Sequence, residues 1–140
     1  MELQYGNEIS VADYNMLRDV VKWGMVIEEQ AETGLRNSAL IVSCRDGEKT
    51  IGCARLIWDG GYVAYIADVI VLPEYQLHGI GREMMSRIMQ YLQSRMKPGW
   101  RIMVTLLAAK GKEGFYKEFG FFERPNESLG AGMCQWIEKK

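Results

Sequence analysis

The sequence predicts an α+β fold in which helices cover a mixed, mainly antiparallel sheet. Three apolar, β-branched runs follow one another across short glycine turns in the middle of the chain, and the later segments alternate between helical and strand periodicity. Size bounds the answer: 140 residues, 48% of them hydrophobic, suffice for a single domain over residues 1–140, and no repeat or linker-like stretch divides them.

The elements follow in order. Ser10 caps a first helix through Asp13, and Ile9 and Tyr14 are placed to staple its entry. Val11, Tyr14, Leu17 and Val21 give that helix one apolar face, which ends near Gly24. A second short helix is expected from about Met25 to Thr33, with Gly34 as its stop. From Ala39 the pattern turns to strands: Ala39 to Cys44, Thr50 to Trp58 and Tyr62 to Leu72. Asp46-Gly47 and Asp59-Gly60-Gly61 separate them, and such turns make an antiparallel meander that Pro73 ends. Ile80, Met84, Met85, Ile88, Met89, Leu92 and Met96 recur at helical spacing up to the stop at Pro98-Gly99. Arg101 to Leu107 reads as a strand, Lys112 to Phe119 as a short helix capped by Gly120, and Met133 to Ile137 as a last strand.

Composition excludes several functions. Seventeen basic and eighteen acidic residues leave a formal net charge of −1, so no general field gathers nucleic acid or an acidic membrane. Cys44, Cys53 and Cys134 are odd in number and widely spaced, beside a single histidine, which argues against a disulfide framework and against a metal site. Each cysteine is expected to pack as a small hydrophobe in a reducing compartment. The first residues show no signal-peptide pattern, and no apolar run reaches the ~18 residues that a membrane span needs. The expectation is a cytoplasmic protein.

Tyr62 to Arg87 is the most informative segment, because a long apolar strand feeds a glycine turn and then an amphipathic helix. A helix start exposes unpaired N–H groups and the positive end of the dipole, and glycines let a bulky anion approach the backbone. Gln76-Leu77-His78-Gly79-Ile80-Gly81 therefore reads either as a phosphate cradle, with Arg82 as a charged donor, or as a tight strand-to-helix connection. The dinucleotide fingerprint fails at Met84, and the P-loop ending is missing.

The string Asp68-Val69-Ile70-Val71-Leu72-Pro73-Glu74-Tyr75-Gln76-Leu77-His78-Gly79-Ile80-Gly81 resembles the acetyl-CoA motif of the GNAT superfamily of N-acetyltransferases, whose core is Arg/Gln-x-x-Gly-x-Gly/Ala behind a strand and a proline. The resemblance implies the GNAT fold, with acetyl-CoA as co-substrate and its pyrophosphate on the turn amides from Gln76 to Gly81, beside Arg82. It also implies that the backbone of Val69, Ile70 and Val71 meets the pantetheine arm, in an opening between the strands Tyr62 to Leu72 and Arg101 to Leu107. Leu77 departs from the pattern by replacing a glycine frequent in the cradle.

Gly114-Phe115-Tyr116-Lys117-Glu118-Phe119-Gly120-Phe121 resembles a second motif of that family, in which the tyrosine protonates the departing CoA thiolate. Tyr116 inherits that role, against the alternative that Phe115, Tyr116 and Phe119 form an aromatic core stripe. The asparagine that many members carry upstream is replaced by Ala109.

Asp68 is the only charged residue between Tyr62 and Leu72, and a lone carboxylate on a central strand is costly unless paired or functional. Two roles stay open: binding or deprotonating the acceptor amine, or a structural carboxylate bonded to backbone N–H groups or an arginine. The expected function is direct attack of a primary amine, on a small molecule or a peptide, upon acetyl-CoA. The alternative is a CoA-binding regulatory module without turnover. Neither metal, nucleic acid nor membrane is implied, and by analogy the family admits a homodimer.

Overall fold

Ser10 has extended backbone (φ −75°, ψ 156°), and its Oγ accepts the Asp13 N–H at 3.0 Å, so the cap read from sequence opens the first helix. The computed structural model describes residues 1–140. Its elements are β1 (Leu3–Gly6), α1 (Val11–Val20), α2 (Glu28–Arg36), β2 (Leu40–Asp46), β3 (Lys49–Trp58), β4 (Val63–Val71), a 3₁₀ turn (Pro73–Tyr75), α3 (Ile80–Arg95), β5 (Met103–Leu106) and α4 (Glu113–Lys117). They fall into two compact units, Met1–Leu106 and Leu107–Lys140.

In the first unit the strands lie in sequence order, β1-β2-β3-β4-β5. The first three pairings are antiparallel and β4 pairs β5 in parallel, so the sheet is mixed and mainly antiparallel, as expected. The apolar stripe of α3, namely Ile80, Met84, Met85, Ile88 and Leu92, is buried, and α3 packs on β2, β3 and β4. Beneath α3, Gly52 of β3 permits the close approach of β4: a Cβ there would lie 3.0 Å from the Ile70 carbonyl oxygen, whereas the 3.5 Å to Met84 Cε is ordinary contact. On α1, Tyr14 and Leu17 are buried, and this helix packs on β3, β4 and α2.

Three expectations are corrected. The strand β1, which pairs Leu3 with Asp46 and Gly6 with Ser43, was not anticipated, because it is only four residues long and its alternation spans no more than Leu3-Gln4-Tyr5. The second helix continues past Gly34 to Arg36, since Ala31 and Leu35 share its buried face. Met133 to Ile137 is not a strand. Met133, Trp136 and Ile137 are exposed there, and strand propensity yields a strand only where a ladder partner and a packed face exist. No helix is long and apolar enough to cross a membrane.

Candidate active site

The cradle is built from the sheet outward. After β4, Leu72 is buried and Pro73 starts the 3₁₀ turn, which Tyr75 ties down by donating its hydroxyl to Asp46 Oδ2 at 2.7 Å. Gln76 turns back, and its Nε2 donates to the Val71 carbonyl at 3.0 Å. His78 Nδ1 lies 3.1 Å from the Tyr75 carbonyl oxygen, so its ring serves the turn. Leu77 has a left-handed backbone (φ 67°) and a fully exposed side chain. This explains why glycine is frequent at that place in the motif.

Gly79 is the N-cap of α3, also left-handed (φ 79°, ψ 7°), and it provides no side-chain cap. The first intrahelical bond runs from the Glu83 N–H to the Gly79 carbonyl at 3.0 Å. The N–H groups of Ile80 and Gly81 precede it and have no intrahelical acceptor. The Ile80 side chain is buried, which fixes the helix start against the sheet, whereas a Cβ on Gly79 would meet nothing within 4 Å. An anchored helix start, free of a capping side chain and open around its glycine, fits a phosphate group.

β4 supplies the second part of the site. Its pairing with β5 covers Val63–Ile66 against Met103–Leu106 and stops there, so Ala67 to Val71 continue without β5. On the other side the register passes from Arg55↔Ala67 to Cys53↔Ile70, which sets Asp68 and Val69 opposite the single residue Ala54. This is a β-bulge, and Asp68 within it is left-handed (φ 53°).

Of the two roles left open for Asp68, its contacts are those of a paired carboxylate. Oδ1 accepts from Arg18 Nη1 at 2.6 Å, while Oδ2 accepts from the Tyr14 hydroxyl at 2.7 Å and from Arg55 Nε at 3.0 Å. The Asp68 side chain is only 9% exposed. Arg18 also donates to the carbonyls of Trp23 and Gly24, and Arg55 to Gly34 and to Ser38 Oγ. The cluster therefore ties α1, α2 and their connection to β4. Sequence reasoning passed over Tyr14, Arg18 and Arg55 as site residues. One signal was available, since Arg55 is the only charge between Thr50 and Trp58, just as Asp68 is on the neighbouring strand.

Tyr116 belongs to the second unit. It is buried on α4 among Phe115, with ring centroids 5.0 Å apart, and Phe121 at 6.3 Å. Burial raises the pKa of its hydroxyl above the ordinary tyrosine value, so it keeps its proton at neutral pH. α4 ends earlier than the sequence predicts, with Glu118 rather than Gly120 as its C-cap, and Gly120 two residues on is left-handed at φ 90°. Cys44 and Cys53 are buried free thiols and Cys134 is exposed. Burial raises the pKa of Cys53 to about 12, which removes it as a nucleophile.

Residues 9–121 match the acetyltransferase (GNAT) family, a span that includes every residue of the cradle and Tyr116. An uncharacterized N-acetyltransferase, ycf52, of Pyropia yezoensis is 30% identical over 133 residues, covering 91% of this chain and 74% of its own. A protein of unknown function from meticillin-resistant Staphylococcus aureus, described as a probable acetyltransferase, superposes with a TM-score of 0.85 at 31% identity, over 96% of this chain and 99% of the other. A GNAT family acetyltransferase of Streptococcus pneumoniae superposes with a TM-score of 0.76 at 26% identity, over 99% and 98%.

Proposed function

This chain belongs to the acetyltransferase (GNAT) family and is an N-acetyltransferase, and from that premise we propose that it transfers an acetyl group from acetyl-CoA to a primary amine of a small molecule or peptide, in the cytoplasm. The observation that carries the reading is the start of α3, where Gly79 leaves the N–H groups of Ile80 and Gly81 uncapped beside open space.

The residues divide the work. Ile80 and Gly81 offer backbone donors to the pyrophosphate, on a turn shaped by Gln76, Leu77, His78 and Gly79, and Arg82 adds a charged donor. Backbone groups of Val69, Ile70 and Val71, beyond the end of the β5 ladder, serve the pantetheine arm. When bound, acetyl-CoA supplies an acetyl group activated as a thioester. Tyr116, kept protonated by burial, donates its O–H to the sulfur as negative charge develops there. Asp68 is given a structural rather than a proton-transfer role in this scheme, since Tyr14, Arg18 and Arg55 donate to three of the roughly four acceptor positions of its carboxylate. The neutral amine attacks the thioester carbonyl first, helped by proximity. As the C–S bond then breaks, Tyr116 gives its proton to the CoA sulfur, and the proton shed by the amine nitrogen goes to solvent, from which Tyr116 is reprotonated.

The test is a panel of amines incubated with acetyl-CoA and followed by release of free CoA thiol. Turnover of at least one amine supports the proposal. Binding of acetyl-CoA with no turnover across the panel would indicate a regulatory module, and absence of binding would end the acetyl-CoA reading.

A further inference from the structure

Asp68 occupies a backbone conformation that a Cβ disfavours. Its φ of 53° is left-handed, a region that glycine enters freely, that Asn and Asp enter with local help, and that alanine avoids. It is the first of two residues facing Ala54 across the β3–β4 ladder, the position that glycine takes in the common left-handed bulge. A strained residue persists only where its surroundings over-determine it. Here they do: Tyr14 and Arg18 reach the carboxylate from α1 and Arg55 from β3, and Cys53 Sγ lies 3.4 Å from the Asp68 carbonyl oxygen. Asp68 stands just after the last β4–β5 pair, Ile66↔Leu106, and just before Val69 to Val71.

We propose that Asp68 is a positioning residue, whose carboxylate, clamped by Tyr14, Arg18 and Arg55, holds the left-handed bulge that aims the backbone of Val69 to Val71. The claim rests on the acetyl-CoA reading of that backbone. It gives the buried carboxylate a purpose that matches its contacts, since three donors from two elements converge on it. It also explains why two guanidinium groups converge on one carboxylate: each also holds backbone carbonyls, of the α1–α2 connection for Arg18 and of α2 for Arg55.

Three variants separate backbone from side chain: Asp68→Asn, Asp68→Gly and Asp68→Ala. Gly and Ala leave the same two arginines without their carboxylate, so the difference between them isolates the conformation at residue 68. The readouts are φ at residue 68 by NMR couplings, acetyl-CoA Kd by calorimetry, and kcat. Asn and Gly should keep the left-handed backbone and Ala should lose it. Ala should bind acetyl-CoA about tenfold more weakly than Gly, equivalent to about 1.4 kcal/mol. Equal affinities for Gly and Ala overturn the proposal, as does a retained left-handed φ in Ala. A loss of kcat of about a hundredfold in Asn, with Kd and φ retained, also overturns it and returns Asp68 to the chemistry.

If Asp68→Ala fails to fold, Tyr14→Phe removes one donor and keeps the ring. Amide hydrogen exchange of residues 67–71 should then accelerate and the Kd for acetyl-CoA should rise; unchanged exchange overturns the clamp. If the wild-type protein does not bind acetyl-CoA, the functional reading fails. The φ values of the three variants still decide whether the carboxylate holds the bulge.

Discussion

The Tyr14 hydroxyl donates to Asp68 Oδ2 at 2.7 Å, joining the buried face of α1 to the bulge of β4. Burial first, and then this bond, push the Tyr14 pKa up to about 12. In the unfolded chain a tyrosine titrates near its ordinary value of about 10. The folded pKa is the higher one, so the stability it carries is complete below about pH 10 and is lost as pH rises through about 12. The melting temperature should fall in that window, and the fall should be shallower in Tyr14→Phe, with a residual slope from Tyr5, whose pKa burial also raises to about 12. At neutral pH the variant should lose about 1 kcal/mol by chemical denaturation.

Tyr116→Phe keeps the ring packing against Phe115 and Phe121 and removes only the donor. On the acceptor identified by the amine panel, kcat should fall by roughly 10²-fold to 10⁴-fold, with acetyl-CoA affinity and melting temperature nearly retained. Because burial raises the hydroxyl's pKa, the alkaline limb of the wild-type rate profile should lie above the ordinary tyrosine value and vanish in the variant. A kcat close to wild type would return Tyr116 to the aromatic cluster alone.

Gly79→Val forces a β-branched residue to φ 79° at the start of α3. No neighbour obstructs the added Cβ, so the damage is conformational and falls on the cradle. Calorimetry should show acetyl-CoA binding weakened by about tenfold or more, and circular dichroism should show the fold retained.

Leu77→Gly should act in the opposite direction. The leucine sits at φ 67° with its side chain wholly in solvent, so no apolar packing is lost on its removal. Relief of the left-handed penalty, about 1 kcal/mol, should outweigh the entropy that glycine adds to the unfolded chain. A melting temperature raised by a few degrees is the expected result.

Gly52→Ala tests the close approach of β3 and β4. A Cβ 3.0 Å from the Ile70 carbonyl oxygen cannot be absorbed by a side-chain rotation, so β3 or β4 must shift. Denaturant unfolding should show a loss of about 1–3 kcal/mol. Binding of acetyl-CoA should weaken as well, since the Ile70 backbone on β4 is displaced.

Much of this protein is written in short stretches of sequence. Ser10 capping α1, the glycine turns between β2, β3 and β4, the apolar stripe of α3 and the uncapped Gly79 each depend on residues a few places apart. Local periodicity and turn chemistry determine such features, whereas the resemblance to the GNAT motifs rests on the strings Asp68 to Gly81 and Gly114 to Phe121. Tertiary structure alone decided the rest. Asp68 is a lone charge by sequence, and its partners Tyr14 and Arg18 lie 54 and 50 residues away, where no periodicity connects them. The bulge that turns Asp68 left-handed exists because β3 and β4 re-register around Ala54, which neither strand announces by itself. Met133 to Ile137 shows the reverse case, a strand-like run that forms no strand because pairing requires a partner as well as propensity. Long-range contacts form only where the gain exceeds the cost of closing the intervening chain, and that balance belongs to the assembled sheet rather than to any single segment.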